Sequence, residues 1–190
     1  MATREFAKSG LNGASINVIS ELTKTSKRMI YYYFGGKNGL YHAVIDANYQ
    51  RIREAESHLD LEALTPIDAL TALISVSFDF HSQNPDFVRL IMVENLHNGA
   101  HTRGAGDISE RNMTAIDTLR GIYQRGVADG VMRGGIDPIG LHLTISALCF
   151  HYISNRETFS ALFDYDMKSP TALAVRRQAV IDVVVRYVRQ

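Results

Sequence analysis

The stretch FAKSGLNGASINVISELTKTSKRMIYYYFGGKNGLYHAVI, residues 6–45, carries helical periodicity broken at short intervals by glycine and serine. A first helix holds Ala2 to Lys8 and stops at Ser9-Gly10, where glycine takes the left-handed conformation that closes a helix. After LNGA, Ser15 stands where a side-chain oxygen caps a second helix through Leu22. Ser26 does the same for a third helix through Phe34, which Gly35-Gly36 ends. Three short helices with a tight turn between the second and third are the arrangement by which a helix-turn-helix presents one helix to DNA.

The third helix, KRMIYYYF, can be tested by angle, because successive residues turn about 100°. Met29, Ile30, Tyr33 and Phe34 gather on one half, expected to pack, and Lys27, Arg28, Tyr31 and Tyr32 gather on the other, expected to face outward. Two phenols on a solvated face gain nothing unless a partner covers them. The alternative is a solvated basic helix whose tyrosines pack on a neighbour. If DNA is the partner, Arg28 can give a guanine edge two parallel hydrogen bonds, and Lys27 can reach a base or a phosphate. Tyr31 and Tyr32 can donate to phosphate oxygens. Ser15 with the amides beside it, the cap residue Ser26, and Lys37 at the start of a fourth helix complete the expected DNA-facing set; contacts at helix N-termini fix register without reading sequence.

Charge agrees with this division. The chain has 190 residues and no net charge, yet Met1 to Leu40 holds six Lys or Arg against two acids, a net of +4, so the remainder is −4. Residues 1–45 are therefore expected to form a basic DNA-binding head, and residues 46–190 a helical body for ligand binding and dimerisation. A hydrophobic content of 46% is enough for a real core. The lone Cys149, between Leu148 and Phe150, reads as a small buried hydrophobe, and no secretory segment precedes the helices, so a cytoplasmic protein is expected.

The same stretch resembles the head of the tetracycline-repressor (TetR) family, whose pattern runs from Phe-Ala and glycine through a Ser/Thr-capped helix to a Ser-capped helix ending Leu-Tyr-x-x-Phe, then a lysine. Ser15 matches the first cap, Ser26 the second, Ile30 to Phe34 the aromatic run, and Lys37 the lysine. The resemblance covers about the first 45 residues and implies an all-helical homodimer that releases its operator when a small molecule binds the body. Three features depart from the pattern. Thr23, Lys24 and Thr25 stand where the family has Ala-Gly-Val, which places Lys24 at a left-handed position at a cost of about 1 kcal/mol. Arg28 replaces a commonly small residue. Measured against the pattern, the chain begins inside the first helix, so a turn or two of helix and a basic arm are expected ahead of Met1.

Beyond the head, periodicity predicts helices over about Lys37–His58, Pro66–Ser82, Pro85–Leu96, Ile108–Ala128, Pro138–Asn155 and Thr171–Arg189, an all-α chain. The glycine-rich HNGAHTRGAGD, residues 97–107, is expected to be a mobile loop. The helix from Pro138 is apolar nearly all round, which suits a core or an interface but is too short and too polar for a bilayer. The resemblance implies that the last two helices pair with their twofold mates. DNA geometry agrees, since one recognition helix reads too few bases and a dimer would read both halves of a roughly palindromic operator.

Polar groups on otherwise apolar helices are the candidate contacts for a small-molecule effector: His81, Arg89, Glu94, Asn95, His97, Tyr123, His142 and His151. Arg156 and Glu157 could seal either a dimer seam or a pocket mouth. His97 and His101 are four apart, but Asn98-Gly99 between them argue against one regular helix, and no metal or other cofactor is expected. No glycine-rich phosphate loop, nucleophile elbow or spaced carboxylate pair is present, which argues against an enzyme. The rival to a DNA-binding regulator is a dimeric helical ligand-binding or interaction protein that does not bind DNA.

Overall fold

A computed structural model describes residues 1–102 and 106–190 and, within these, all side chains except those of 106–109 and 111. Among the described residues there are nine helices: α1 (Ala2–Gly13), α2 (Ile16–Thr23), α3 (Lys27–Phe34), α4 (Lys37–Ser57), α5 (Pro66–Gln83), α6 (Pro85–Leu96), α7 (Gly106–Ala128), α8 (Pro138–Phe163) and α9 (Pro170–Val188). The one β-type pairing described is Met132 with Arg189. The fold is all-α, as periodicity required.

Helix boundaries follow local chemistry. Gly10 has a positive φ of +65°, but its ψ of 177° is not that of a left-handed helix-closing glycine, and helical turns resume beyond it to Gly13, so the break is a kink inside α1. Prolines sit in the first turns of α6, α8 and α9, where their missing N–H has no intrahelical partner to lose. Asp137 caps α8 through Gly140 N, and Ser169 caps α9 through Ala172 N. Helix α8 runs eight residues past Asn155, to an end at Asp164 in the left-handed region. The polar run Ser154 to Thr158 holds neither glycine nor proline, and its side chains bond back within the helix: Asn155 Nδ2 donates to the His151 carbonyl and Thr158 Oγ1 to the Asn155 carbonyl. In the expected mobile loop, residues 97–102 form turns, and residues 103–105 lie outside the described residues.

The chain makes two compact units: Met1–Arg51 with Asn84–Arg111, and Ile52–Gln83 with Asn112–Gln190. This grouping differs from a division at residue 45, because α6 joins the N-terminal unit. Phe6, Leu11, Ala14, Ile19, Ile30, Leu40, Tyr41, Ile45 and Leu90 form that unit's core, with the rings of Phe6 and Tyr41 edge to face at 5.0 Å. Each buried Leu, Ile or Phe side chain among them contributes about 1.5–3 kcal/mol. In the other unit, α5 packs on α8 and α9 around Leu70, Ile74, Phe78, Leu141, Ile145, Val180 and Val184. Cys149 is fully buried there, and burial pushes its thiol up to about 12. That makes it a packing residue.

Candidate nucleic-acid interface

The reader is built on α2 and α3. Lys24, the residue after α2, has φ +54° and ψ +33°, so the turn takes the left-handed conformation expected of it despite its side chain. The turn is held by Ser20, whose hydroxyl bonds the Thr25 carbonyl, and by the Thr25 N–H on the Ser20 carbonyl. Ser26 caps α3 as expected, its hydroxyl accepting from Met29 N at 3.3 Å. Ser15 holds the cap position of α2, but its hydroxyl makes no cap hydrogen bond, and its N–H donates to Glu5 Oε1 at 3.3 Å.

On α3 only Ile30 is buried. Lys27 and Arg28 are exposed, as are Tyr31 at 57% and Tyr32 at 78%. The packing half predicted by angle is too wide: Tyr33 is 67% exposed, and Met29 and Phe34 are about two-fifths exposed. An eight-residue helix that buries one side chain has a buried stripe about one residue wide, and angular position alone does not give that width. The Tyr33 ring stacks edge-on against Tyr32 at 5.1 Å and so joins the outward aromatic face. Lys37 begins α4, and its ammonium donates to the carbonyls of Asn12 at 3.1 Å and Ala14 at 3.2 Å.

The eight effector candidates divide between the two units, Arg89, Glu94, Asn95 and His97 in the first and His81, Tyr123, His142 and His151 in the second. Arg89, Asn95 and His97 are exposed on or just after α6; Arg89 pairs with Asp86, and His97 Nδ1 donates to the Val93 carbonyl. Glu94 is buried in the N-terminal unit as the hub of a hydrogen-bond network. Its carboxylate accepts from Tyr41 Oη at 3.1 Å, His101 N at 2.7 Å, His101 Nδ1 at 3.0 Å and Thr102 N at 3.0 Å. Burial would raise that carboxyl, but the His101, Tyr41 and Thr102 donors outweigh it and leave it lowered. Tyr123 is buried and locks a turn, donating to the Arg133 carbonyl at 2.8 Å and accepting from Ile136 N at 2.9 Å. His151 is exposed on α8.

His81 and His142 share one environment in the second unit. His81 is buried, its Nδ1 donating to the Ser77 carbonyl at 2.6 Å. His142 shares a hydrogen bond with Ser146 at 3.3 Å. Burial lowers the His81 imidazole, with Ser77 opposing and Arg53 assisting. Burial lowers His142 as well, with Arg53 and His81 adding to it. Arg53 also pairs with Glu56 at 2.8 Å, on the wall of a cavity of about 920 Å³ lined by residues of α4, the 57–62 segment and α7, among them Thr114, Thr118, Gln124 and Arg125. None of the eight candidates lines it. Arg53 and Glu56 escaped the sequence reading because charged residues near the end of an amphipathic helix look like solvated surface. Among the described residues no group of three or more His, Cys, Asp or Glu is placed to hold a metal, and no helix is long and apolar enough to cross a membrane.

With this geometry in view, comparison with known proteins is decisive. Residues 1–44 match the family described as bacterial regulatory proteins, tetR family, and residues 66–184 match the tetracyclin repressor-like C-terminal domain. The chain is 35% identical over 189 residues to the HTH-type transcriptional repressor NicS of Pseudomonas putida, across 100% of this chain and 89% of NicS. The chain belongs to the TetR family. Solved structures agree on the TetR-family fold. A tetR-family regulatory protein from Rhodococcus RHA1 superposes with a TM-score of 0.78 at 16% identity, over 99% of this chain and 93% of that one. AibR, solved with isovaleryl coenzyme A and operator DNA, gives 0.70 at 16% identity, over 99% and 94%. As a TetR-family regulator, the chain carries its helix-turn-helix within the first 44 residues, and its C-terminal match spans most of the second compact unit.

Proposed function

We propose that this TetR-family protein is a cytoplasmic repressor that binds a roughly palindromic operator as a homodimer and lets go of it when a small-molecule effector binds. It acts as a regulator and not as an enzyme. The observation that carries this reading is the outward face of α3, where Lys27, Arg28, Tyr31 and Tyr32 stand exposed on a helix capped by Ser26. In this reading Arg28 reads a base edge, Lys27 a base or phosphate, and Tyr31, Tyr32 and the Ser15 hydroxyl hold phosphates. Tyr33 extends the phosphate-facing edge.

Dimerisation through α8 and α9 places two recognition helices about one DNA turn apart. It is supported by Ile139, Leu143, Phe163, Val175 and Val183, large apolar side chains that are all more than half exposed on these helices in a single chain. The cavity beside Arg53 and Glu56 is the place for the effector. Release requires the effector to prefer the DNA-incompetent arrangement of the dimer, and the loss of operator affinity is bounded by that preference. The test is a titration of operator DNA from beside the gene, followed by a screen for compounds that reverse binding. A compound that binds the cavity and leaves operator affinity unchanged would contradict the release step.

A further inference from the structure

Helix α1 ends without a cation of its own in its last turn, although its final carbonyls have no intrahelical partners and the helix end carries partial negative charge. Lys37 supplies that cation from 25 and 23 residues away, its Nζ donating to the carbonyls of Asn12 and Ala14. For α4 itself the residue is poorly placed, since a cation at a helix N-terminus opposes the dipole and no acid in that first turn compensates it. Its use therefore lies with α1. The base of Lys37 is fixed as well. Two residues on, a Cβ at Gly39 would lie 1.8 Å from the Phe34 carbonyl oxygen, so the backbone of the α3–α4 corner passes closer there than any other residue permits.

We infer that Lys37 is a positioning residue of the DNA reader: its ammonium clamps the Asn12–Ala14 turn to the α3–α4 corner and so sets the N-terminus of α2 relative to the recognition helix. The clamped turn leads directly into Ser15, whose own N–H is held by Glu5 from α1. Thus the α2 N-terminus is tied from two sides, by a carboxylate and by an ammonium. Lys37 then acts on DNA affinity without spending its charge on a phosphate, although its place in the sequence suggests a phosphate contact. This inference rests on the DNA-binding reading, and its test separates the two.

The experiment measures operator affinity against salt for the full chain, Lys37→Met and Lys37→Gln, together with amide exchange at Ala14 and Ser15. A clamp predicts that Lys37→Met lowers affinity about tenfold with an unchanged slope of log K against log salt, because no counterion-releasing contact is lost. Exchange at Ala14 and Ser15 rises, exchange in the core at Ile45 does not, and Lys37→Gln, which keeps N–H donors without charge, recovers part of both losses. A flatter slope, by about 0.9 for each head, with exchange unchanged in both variants, would overturn the clamp in favour of a phosphate contact. If the full chain binds no operator, the DNA reading fails while the exchange measurement still decides the clamp: faster exchange at Ser15 upholds it, and unchanged exchange removes it. Should Lys37→Met fail to fold, Lys37→Gln carries the same comparison.

Discussion

Lys24 shows what a single residue contributes against the fold. At φ +54° it occupies a conformation that disfavours any side chain with a Cβ. Lys24→Gly is expected to stabilise the chain by about 1 kcal/mol, read as a rise in the midpoint of urea unfolding with the same m-value; an unchanged or lower midpoint would mean that the lysine makes a compensating contact. This strain was legible through the family resemblance, whose pattern has glycine at the position that Lys24 holds. The exposure of Tyr33 was not legible, because how much of a short helix is covered depends on what packs against it. His81 and His142 give a residue-level pH dependence. Burial holds both imidazoles below their ordinary value near 6.5, so the unfolded chain takes up protons first. Their contribution is fully present above that value and is lost as pH falls below it. Thermal unfolding followed from pH 7.5 to 5 should show a declining midpoint in the wild type and a flatter decline in the double variant His81→Gln, His142→Gln. Equal slopes would place the acid sensitivity elsewhere.

At the scale of elements, the two closing helices carry the next expectation. Leu143 on α8 is 67% exposed and Val183 on α9 is 52% exposed, which is costly for a chain that remains alone. Leu143→Glu and Val183→Glu together are expected to turn a dimer into a monomer in sedimentation velocity and to weaken operator binding at least tenfold, since one head then binds by itself. A double variant that stays dimeric would move the interface off these helices. The apolar character of α8 all round was legible in the sequence. Its true length was not, because a polar run without glycine or proline reads as a break when its side chains bond back within the helix. The place of α6 was equally hidden. Its Phe87, Val88 and Leu90 are buried in the N-terminal unit, where α1 packs against α6, and sequence periodicity identifies an apolar face without naming its partner.

For the whole molecule, the basic first forty residues, the three short helices with Ser26 capping the third, and the family pattern agreed on one architecture, and each was readable before any coordinate. A polar group on an apolar helix does not by itself mark an effector contact. Glu94 and Tyr123 are polar groups on apolar helices as a ligand site requires, but both are consumed in holding turns, and only three-dimensional neighbours distinguish the two uses. The central claim is that α3 reads DNA. Its most direct test is fluorescence-anisotropy titration of promoter DNA from beside the gene with wild type, Arg28→Ala and Tyr32→Ala at two salt concentrations. The account predicts tight binding that weakens as salt rises, a loss of about 1–3 kcal/mol with relaxed base preference for Arg28→Ala, and a uniform loss across sequences for Tyr32→Ala. Binding that is absent in the wild type, or equally tight in both variants, would contradict it.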